Sequence, residues 1–276
     1  MGKFTYLHGF SSREQNRLIE QAEFLEPYVF QGVDLEFKER LLEVGCGVGA
    51  QTKIICRRFP KLKVVGLDLS ENQLKVASQF LKQEIKDKRV QLLNRNAIEP
   101  NIPANLVGSK FDSAFICWFL EHVPDPVKVL KGIRPYLKPG AKIYCTEIFN
   151  QAMFMEPYSP AILKYWFEFN DWQWANKGHP FMGALLGHVL NEAGYTDINV
   201  EFKPFHFDSR QSKKRALFSE QFFKVLLSAE QALLETKRVD KKLINQMHKE
   251  IEKVKKAKDA VFFDMFVRAT ARTPKK

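Results

Sequence analysis

Three glycines at alternate positions close an apolar run in LLEVGCGVGAQT, residues 41–52, and Glu43 stands two residues ahead of the first of them. Gly45, Gly47 and Gly49 read as G-x-G-x-G, while Gly45, Gly47 and Ala50 also meet the dinucleotide spacing G-x-G-x-x-G/A. In either reading the glycines turn the chain sharply from strand to helix and let a ligand touch bare backbone beside a helix N-terminus. The loop is therefore a ligand cradle, with Cys46 inside it. What separates the two readings is charge, because Glu43 at the end of the strand faces the bound molecule.

A pyrophosphate beside Glu43 in a partly buried site is repelled by on the order of several kcal/mol. S-adenosylmethionine presents an ammonium and a sulfonium cation to the same carboxylate, so the electrostatics favour it. Asp68 ends the next strand, in KVVGLDL, where a carboxylate accepts hydrogen bonds from both ribose hydroxyls. NAD would use Asp68 equally well, so Glu43 carries the discrimination. An NAD(P)-dependent oxidoreductase is the competing reading from another class, and a binding protein that keeps the fold without catalysis is a further one.

The elements that must hold these residues alternate. RLLEVG, KVVGLDL, VQLLNRN, FDSAFICWFL and AKIYCTEIF read as five strands with helices between them, the fifth introduced by the turn Lys138-Pro139-Gly140. Ser70 and Gln73 have capping-box spacing at the head of SENQLKVASQFLKQEI. FMGALLGHVLNEAGY is a helix stopped by Gly194, and DINVEFKPFHF and AVFFDMFVRATAR supply a sixth and a seventh strand. The expected fold is α/β: a three-layer, doubly wound seven-strand sheet, mostly parallel with an antiparallel last strand. An N-terminal helix capped by Ser11 or Ser12, with Pro27 near its end, precedes the sheet, and a helical insertion precedes the last strand. Four segments follow: 1–36, an arm and helix over the cofactor site; 37–149, the cofactor-binding core; 150–182, an aromatic lid without clear period; and 183–276, the end of the sheet with the insertion at about 209–258.

The matching pieces LLEVGCGVGAQT, VVGLDLS, FDSAFICWFLEHVPDP and LKPG come in an order that resembles the class I methyltransferases, the seven-strand family that uses S-adenosylmethionine. The resemblance implies S-adenosylmethionine as cofactor and S-adenosylhomocysteine as product. It places Leu69, Gln73, Ala97 and Trp118 beside the cofactor, and Asn96 where the family usually has an aspartate bonding the adenine amino group. An asparagine oxygen can accept the same bond without the charge. The pair Gly140-Ala141 departs from the family's usual two glycines. YLHGFSSREQNRLIEQAEFLEP resembles a subgroup of small bacterial and archaeal methyltransferases whose N-terminal arm closes over the cofactor. On that resemblance Tyr6, His8, Gly9 and Arg17 line the site, with Arg17 suited to the methionine carboxylate; otherwise Arg17 is a surface helix residue.

For the acceptor side, His122 in LEHV could orient an acceptor or take a proton, or else bond a neighbouring loop. Glu147 could bind a cationic acceptor or be a solvated strand-end carboxylate. His179 and His206 read as structural. Trp166, Trp172 and Trp174 are either walls of an acceptor pocket or core beneath the insertion. In-line methyl transfer asks the protein for alignment and exclusion of water, so no covalent nucleophile is required.

Composition fixes the rest. The net charge of +11 is concentrated at the end of the chain: from Arg210 onward there are 18 Lys/Arg against 8 Asp/Glu, and before it 25 against 24. Val239, Leu243, Met247, Ile251 and Val254 form an apolar stripe among those charges. A solvated helix face is one reading and a docking face for an acidic partner the other. The leading expectation is a small-molecule methyl acceptor; the runner-up is a protein lysine or RNA acceptor docked by the basic end. No N-P-P-Y or D-P-P-Y tetrapeptide follows the fourth strand. Cys46, Cys56, Cys117 and Cys145 lack metal or disulfide spacing and read as reduced thiols. With no apolar stretch near the roughly 20 residues of a membrane helix, a cytoplasmic protein without metal is expected.

Overall fold

The computed structural model describes residues 9, 11–107 and 110–275. Tyr6 and His8 lie outside them. Helix α1 (Ser12–Val29) is started by Ser11, whose hydroxyl accepts the Glu14 amide, and Pro27 is tolerated close to its end. The sheet begins with β1 (Arg40–Val44), α2 (Ala50–Arg58) and β2 (Lys63–Asp68), then α3 (Glu71–Phe80), α4 (Lys82–Lys86) and β3 (Val90–Asn94). A short α5 (Ala104–Val107) leads to β4 (Phe111–Cys117), α6 (Pro126–Ile133) and β5 (Leu137–Ile148). Asp125 caps α6, and Pro126 occupies its first turn, where a missing N–H costs nothing.

After β5 come β6 (Phe154–Glu156), α7 (Pro160–Ala175), α8 (Met182–Glu192) and β7 (Thr196–Phe207). Three helices, α9 (Ser212–Ser228), α10 (Glu230–Glu235) and α11 (Lys241–Lys256), precede β8 (Val261–Arg272). The strands lie in the order β3-β2-β1-β4-β5-β8, with β6 and β7 also paired to β8. The first five are parallel to one another, and β8 runs antiparallel to β5, β6 and β7.

The α/β sheet with a reversed last strand is the expected one, but among the described residues it holds eight strands. The additional β6 is three residues long and pairs with the start of β8, too short to leave an alternation in the sequence. The Lys138-Pro139-Gly140 turn lies inside β5 as a register shift opposite β4. The segment taken to lack a period is largely the helix α7. Apolar residues surround it almost completely, because Ala161, Ile162, Tyr165, Trp166, Phe169 and Trp172 are all buried.

Alternate strand residues feed two cores. On one face Leu41, Phe115, Phe262 and Phe266 pack with α1, α2, α7 and the insertion helices; on the other Leu42, Ile116 and Val267 pack with α6 and α8. Arg268, buried on the first face, ties α1 down by donating to the Val29 and Gln31 carbonyls and to Thr146 Oγ1. Ile244, Met247, Ile251 and Val254 of α11 are core, and its lysines 249 and 253 are exposed. Among the described residues no helix is long and apolar enough to cross a membrane.

Candidate active site

The strand order reverses between β1 and β4, and in an open α/β sheet ligands bind outside the carboxyl ends of the strands at that point. Here β1 delivers the glycine loop, β2 delivers Asp68, and β4 delivers Trp118 and Phe119. The glycines do not share one task. A side chain on Gly45 would meet the Phe119 ring at 2.2 Å, so this glycine makes room for protein. Gly47, at φ +52°, has nothing within 4 Å of where a Cβ would stand, and there the backbone is open to a ligand. Gly49 caps α2.

Asp68 fastens the loop to α3. Its Oδ2 accepts the Gly47 N–H at 2.9 Å and its Oδ1 the Ser70 N–H at 2.8 Å. Each oxygen keeps a further lone pair for a donor from outside. Burial pushes this carboxyl up from its ordinary value, against the Ser70, Gly47 and Leu69 amides, which lower it. Leu69, beside it, is 64% exposed, an apolar platform at the rim. Asn94 closes this corner by donating to the Asp68 and Leu69 carbonyls, a contact that spacing alone did not reveal. The capping box is half formed: Ser70 accepts the Gln73 amide, while the Gln73 side chain turns to accept from Gln15 of α1 at 3.3 Å.

Glu43 is buried and accepts from Thr52 Oγ1 at 2.7 Å. Desolvation is the main cause that raises its pKa to about 8, opposed by the Thr52 hydrogen bond and assisted by Asp68. Its charge therefore depends on burial as well as on its neighbours, and a cation placed beside it favours the ionised form. Thr52 is a second residue that the motif did not flag, although a hydroxyl in the first turn after a glycine loop faces back toward the strand end. Cys46 is buried at the same place, and burial raises its thiol well above the ordinary range.

Arg17 is buried, not a surface residue. Its guanidinium bonds Glu14 through both carboxylate oxygens, at 2.7 and 2.6 Å, and donates to Gln21 Oε1 at 2.6 Å. Helix α1 thus reaches the site through Gln15 and Gln73. Asn96 is exposed and spends its Oδ1 on the Ile98 amide; Ala97 is buried next to it.

At the end of β4, Trp118 adopts φ +51°, unusual for a bulky residue and typical of strained functional positions. Its amide donates to the Thr146 carbonyl, and its ring stands edge-on to Phe266 with centroids 6.4 Å apart. Glu147 differs from both sequence expectations. It is fully buried and accepts the amides of Phe119 at 3.0 Å, Leu120 at 2.7 Å and Glu121 at 3.3 Å. Burial raises its pKa well above the usual carboxylate range, with Glu121 adding to the rise. It fixes the 3₁₀ turn Leu120–His122. His122 lies on that turn, partly exposed, with Nε2 3.6 Å from Glu121 Oε1. Glu121 in turn accepts from Gln173 of α7 at 2.8 Å, so the aromatic helix is bolted to the β4 loop.

The rings divide. Trp166 and Trp172 are buried, with Trp166 stacked on Phe169 at 4.9 Å and tilted against Phe222 at 5.5 Å. Trp174 is 56% exposed and touches His179. An open recess of about 1480 Å³ lies elsewhere, along α3, β2 and β3, rimmed by Lys61, Lys63, Lys75, Lys88 and Arg89, and it includes no residue of the glycine loop. Convergent polar groups, not volume, make the strand ends the candidate site.

Comparison with known proteins agrees with this geometry. A family described as a methyltransferase domain matches residues 42–143, from β1 into β5. The demethylmenaquinone methyltransferase of Lactococcus lactis subsp. lactis (strain IL1403) is 30% identical over 196 residues, 64% of this chain and 75% of that protein. That of Geobacillus kaustophilus (strain HTA426) is 29% identical over 193 residues, 65% and 79% of the two chains. Among solved structures, Haemonchus contortus phosphoethanolamine N-methyltransferase 2, in complex with S-adenosyl-L-methionine, aligns with TM-score 0.56 at 19% identity over 96% of this chain and 57% of that one. The 4+2 cyclase SpnF aligns with TM-score 0.53 at 19% identity over 93% and 80%. At those identities the structural likeness carries the fold and leaves chemistry to the site.

Proposed function

The chain belongs to the class I S-adenosylmethionine-dependent methyltransferases that act on small molecules, and on that premise we propose that its acceptor is an apolar aromatic quinol of the demethylmenaquinone type. The observation that carries this reading is the cluster of rings between sheet, α1 and the insertion: Tyr28, Phe205, Phe207, Phe218, Phe262 and Phe266 contact one another beside Trp118. Such walls suit a flat apolar molecule, and the curated relatives are named for one.

On the cofactor side the residues present fit S-adenosylmethionine. Asp68 would accept from the ribose hydroxyls, Leu69 would lie under the adenine, and the open backbone at Gly47 would admit the chain joining them. Glu43 would serve the cationic end. When bound, the cofactor supplies a methyl group activated by positive sulfur. The protein's own work is alignment and exclusion of water: Glu147 holds the β4 turn, Gln173 holds α7 to Glu121, and Trp118 borders both halves. The test is methyl transfer from labelled S-adenosylmethionine to a short-chain demethylmenaquinol, with a lysine peptide and tRNA alongside. Labelled quinol and unlabelled macromolecules are expected; label in peptide or tRNA alone would overturn the acceptor assignment.

A further inference from the structure

Within the ring cluster stands one carboxylate. β8 pairs Asp264 with Phe205, Phe262 with Phe207 and Phe266 with Lys203, so Asp264 shares the sheet face of Phe205, Phe262 and Phe266. That face is covered by α1 and α9, since Tyr28 packs on Phe205 at 5.0 Å and Phe218 packs on Phe205 at 5.5 Å. The Asp264 carboxyl accepts one hydrogen bond, from the neighbouring Met265 amide at 2.8 Å. The residue is deep among protein atoms and yet keeps some accessible surface. Two residues along β8, Phe266 meets the Trp118 ring at the edge of the glycine-loop site.

A carboxyl in an aromatic wall is costly to bury unless something partners it. Elsewhere the buried carboxyls have partners: Glu43 has Thr52, Glu147 has three amides, and Glu250 accepts the Ala161 and Ile162 amides. Among the described residues, Asp264 has only its neighbour's N–H. We propose that Asp264 is a catalytic residue, the proton acceptor for the methyl acceptor's hydroxyl beside the aromatic cluster. This rests on the quinol reading above.

The step balances as follows. A phenolic hydroxyl of the quinol gives its proton to the Asp264 carboxylate, and the released electron pair, delocalised into the ring, forms the carbon–carbon bond to the methyl group. The sulfur–carbon bond breaks with its electrons left on sulfur, which becomes a neutral thioether. The ring carbon then loses its hydrogen to water while the proton on Asp264 returns to the oxygen. Burial raises the Asp264 pKa to about 7, opposed by the Met265 amide, so the group both takes and returns a proton near neutrality. The titratable and charged groups on the surrounding elements include Tyr28 of α1, Glu20 of α1 paired with Lys224 of α9 at 2.8 Å, Arg215 of α9, Lys203 of β7, paired with Glu201 at 2.5 Å, and Arg268 further along β8.

Asp264→Asn is the discriminating change, because an asparagine oxygen still accepts the Met265 amide and cannot take a proton. With labelled S-adenosylmethionine and a short-chain demethylmenaquinol, D264N is expected to keep wild-type Tm and S-adenosylhomocysteine affinity while kcat falls by about 100-fold or more. The wild-type rate should rise with pH through about 7 as the carboxyl ionises, and the variant should lack that limb. Asp264→Glu, which keeps the acid, should restore part of kcat. Activity of D264N within threefold of wild type, or parallel loss of Tm, affinity and kcat, would overturn the assignment and leave the quinol reading standing. No transfer by the wild type to the quinol would instead overturn that reading and this role with it.

Discussion

The glycine loop and the aromatic cluster meet at Trp118 and are built by opposite means. The loop holds its shape by backbone and a few short polar links: Gly47 N–H to Asp68, Ser70 N–H to Asp68, Thr52 to Glu43. The cluster holds its shape by ring packing across α1, α7, α9 and β8, with polar groups at its margin such as Gln173 on Glu121. A motif can encode the first, because its contacts fall within a few residues of strand ends. The second is tertiary, and its parts come from stretches as far apart in the chain as α1 and β8. The family match follows the same division, ending at residue 143 and leaving the cluster's helices outside.

Substitutions can sharpen that contrast. Gly47→Val should act on the loop alone: the branched side chain fills the open space at φ +52°, and titration with S-adenosylhomocysteine should show binding abolished. Backbone strain of about 1–2 kcal/mol should leave the protein folded. Trp166→Ala should act on the cluster alone. It empties a buried site and removes the donor to the Asn150 carbonyl, costing about 3–5 kcal/mol in denaturant unfolding. Cofactor affinity of the folded fraction should hold; a parallel loss would mean the two regions are one unit.

A smaller effect is expected at Asp68. Its replacement by Ala should weaken cofactor binding by about 1.5–3 kcal/mol, the value of hydrogen bonds to a charged group. Unchanged affinity would remove it from the ribose.

Smallest is a pH effect at Glu43, whose pKa burial raises to about 8. The sign follows from linkage: a cation beside the carboxylate lowers its pKa in the complex, so binding below pH 8 releases a proton and affinity rises with pH up to about 8. The gain approaches tenfold per pH unit at most. The raised value also works on the fold, where its contribution is fully present below the ordinary carboxyl range and is lost as pH rises through 8. Calorimetry on wild type and Glu43→Gln with S-adenosylmethionine cancels the ligand's own titration. Equal pH dependence in the two would show that Glu43 does not meet the cation.

The sequence made β1 to β5 legible because each is a short apolar run bounded by Gly, Pro or a capping residue. Gly47 and Asp68 were legible for the same reason, since strand ends put them at the switch point. Helix α7 was not, because a helix buried on nearly every side has no polar face to mark its period. Glu147 stands at the strand end as expected but is buried rather than solvated, because its partners, the amides at 119–121, are 26 to 28 residues earlier in the chain. Glu43 kept its place, while its charge depends on burial that no local pattern records. Asp264 passed unnoticed as one polar residue in VFFDMFVRATAR, and only the pairing with β7 puts it among rings.

A structure of the protein with S-adenosylhomocysteine and a short-chain demethylmenaquinol tests the central claim most directly, that two differently built regions meet at Trp118. The account predicts the adenosine at Asp68 and Leu69, and the quinol ring among Phe205, Phe266 and Trp118 with a hydroxyl within hydrogen-bond distance of Asp264. A quinol bound away from Trp118 and Asp264 would contradict it.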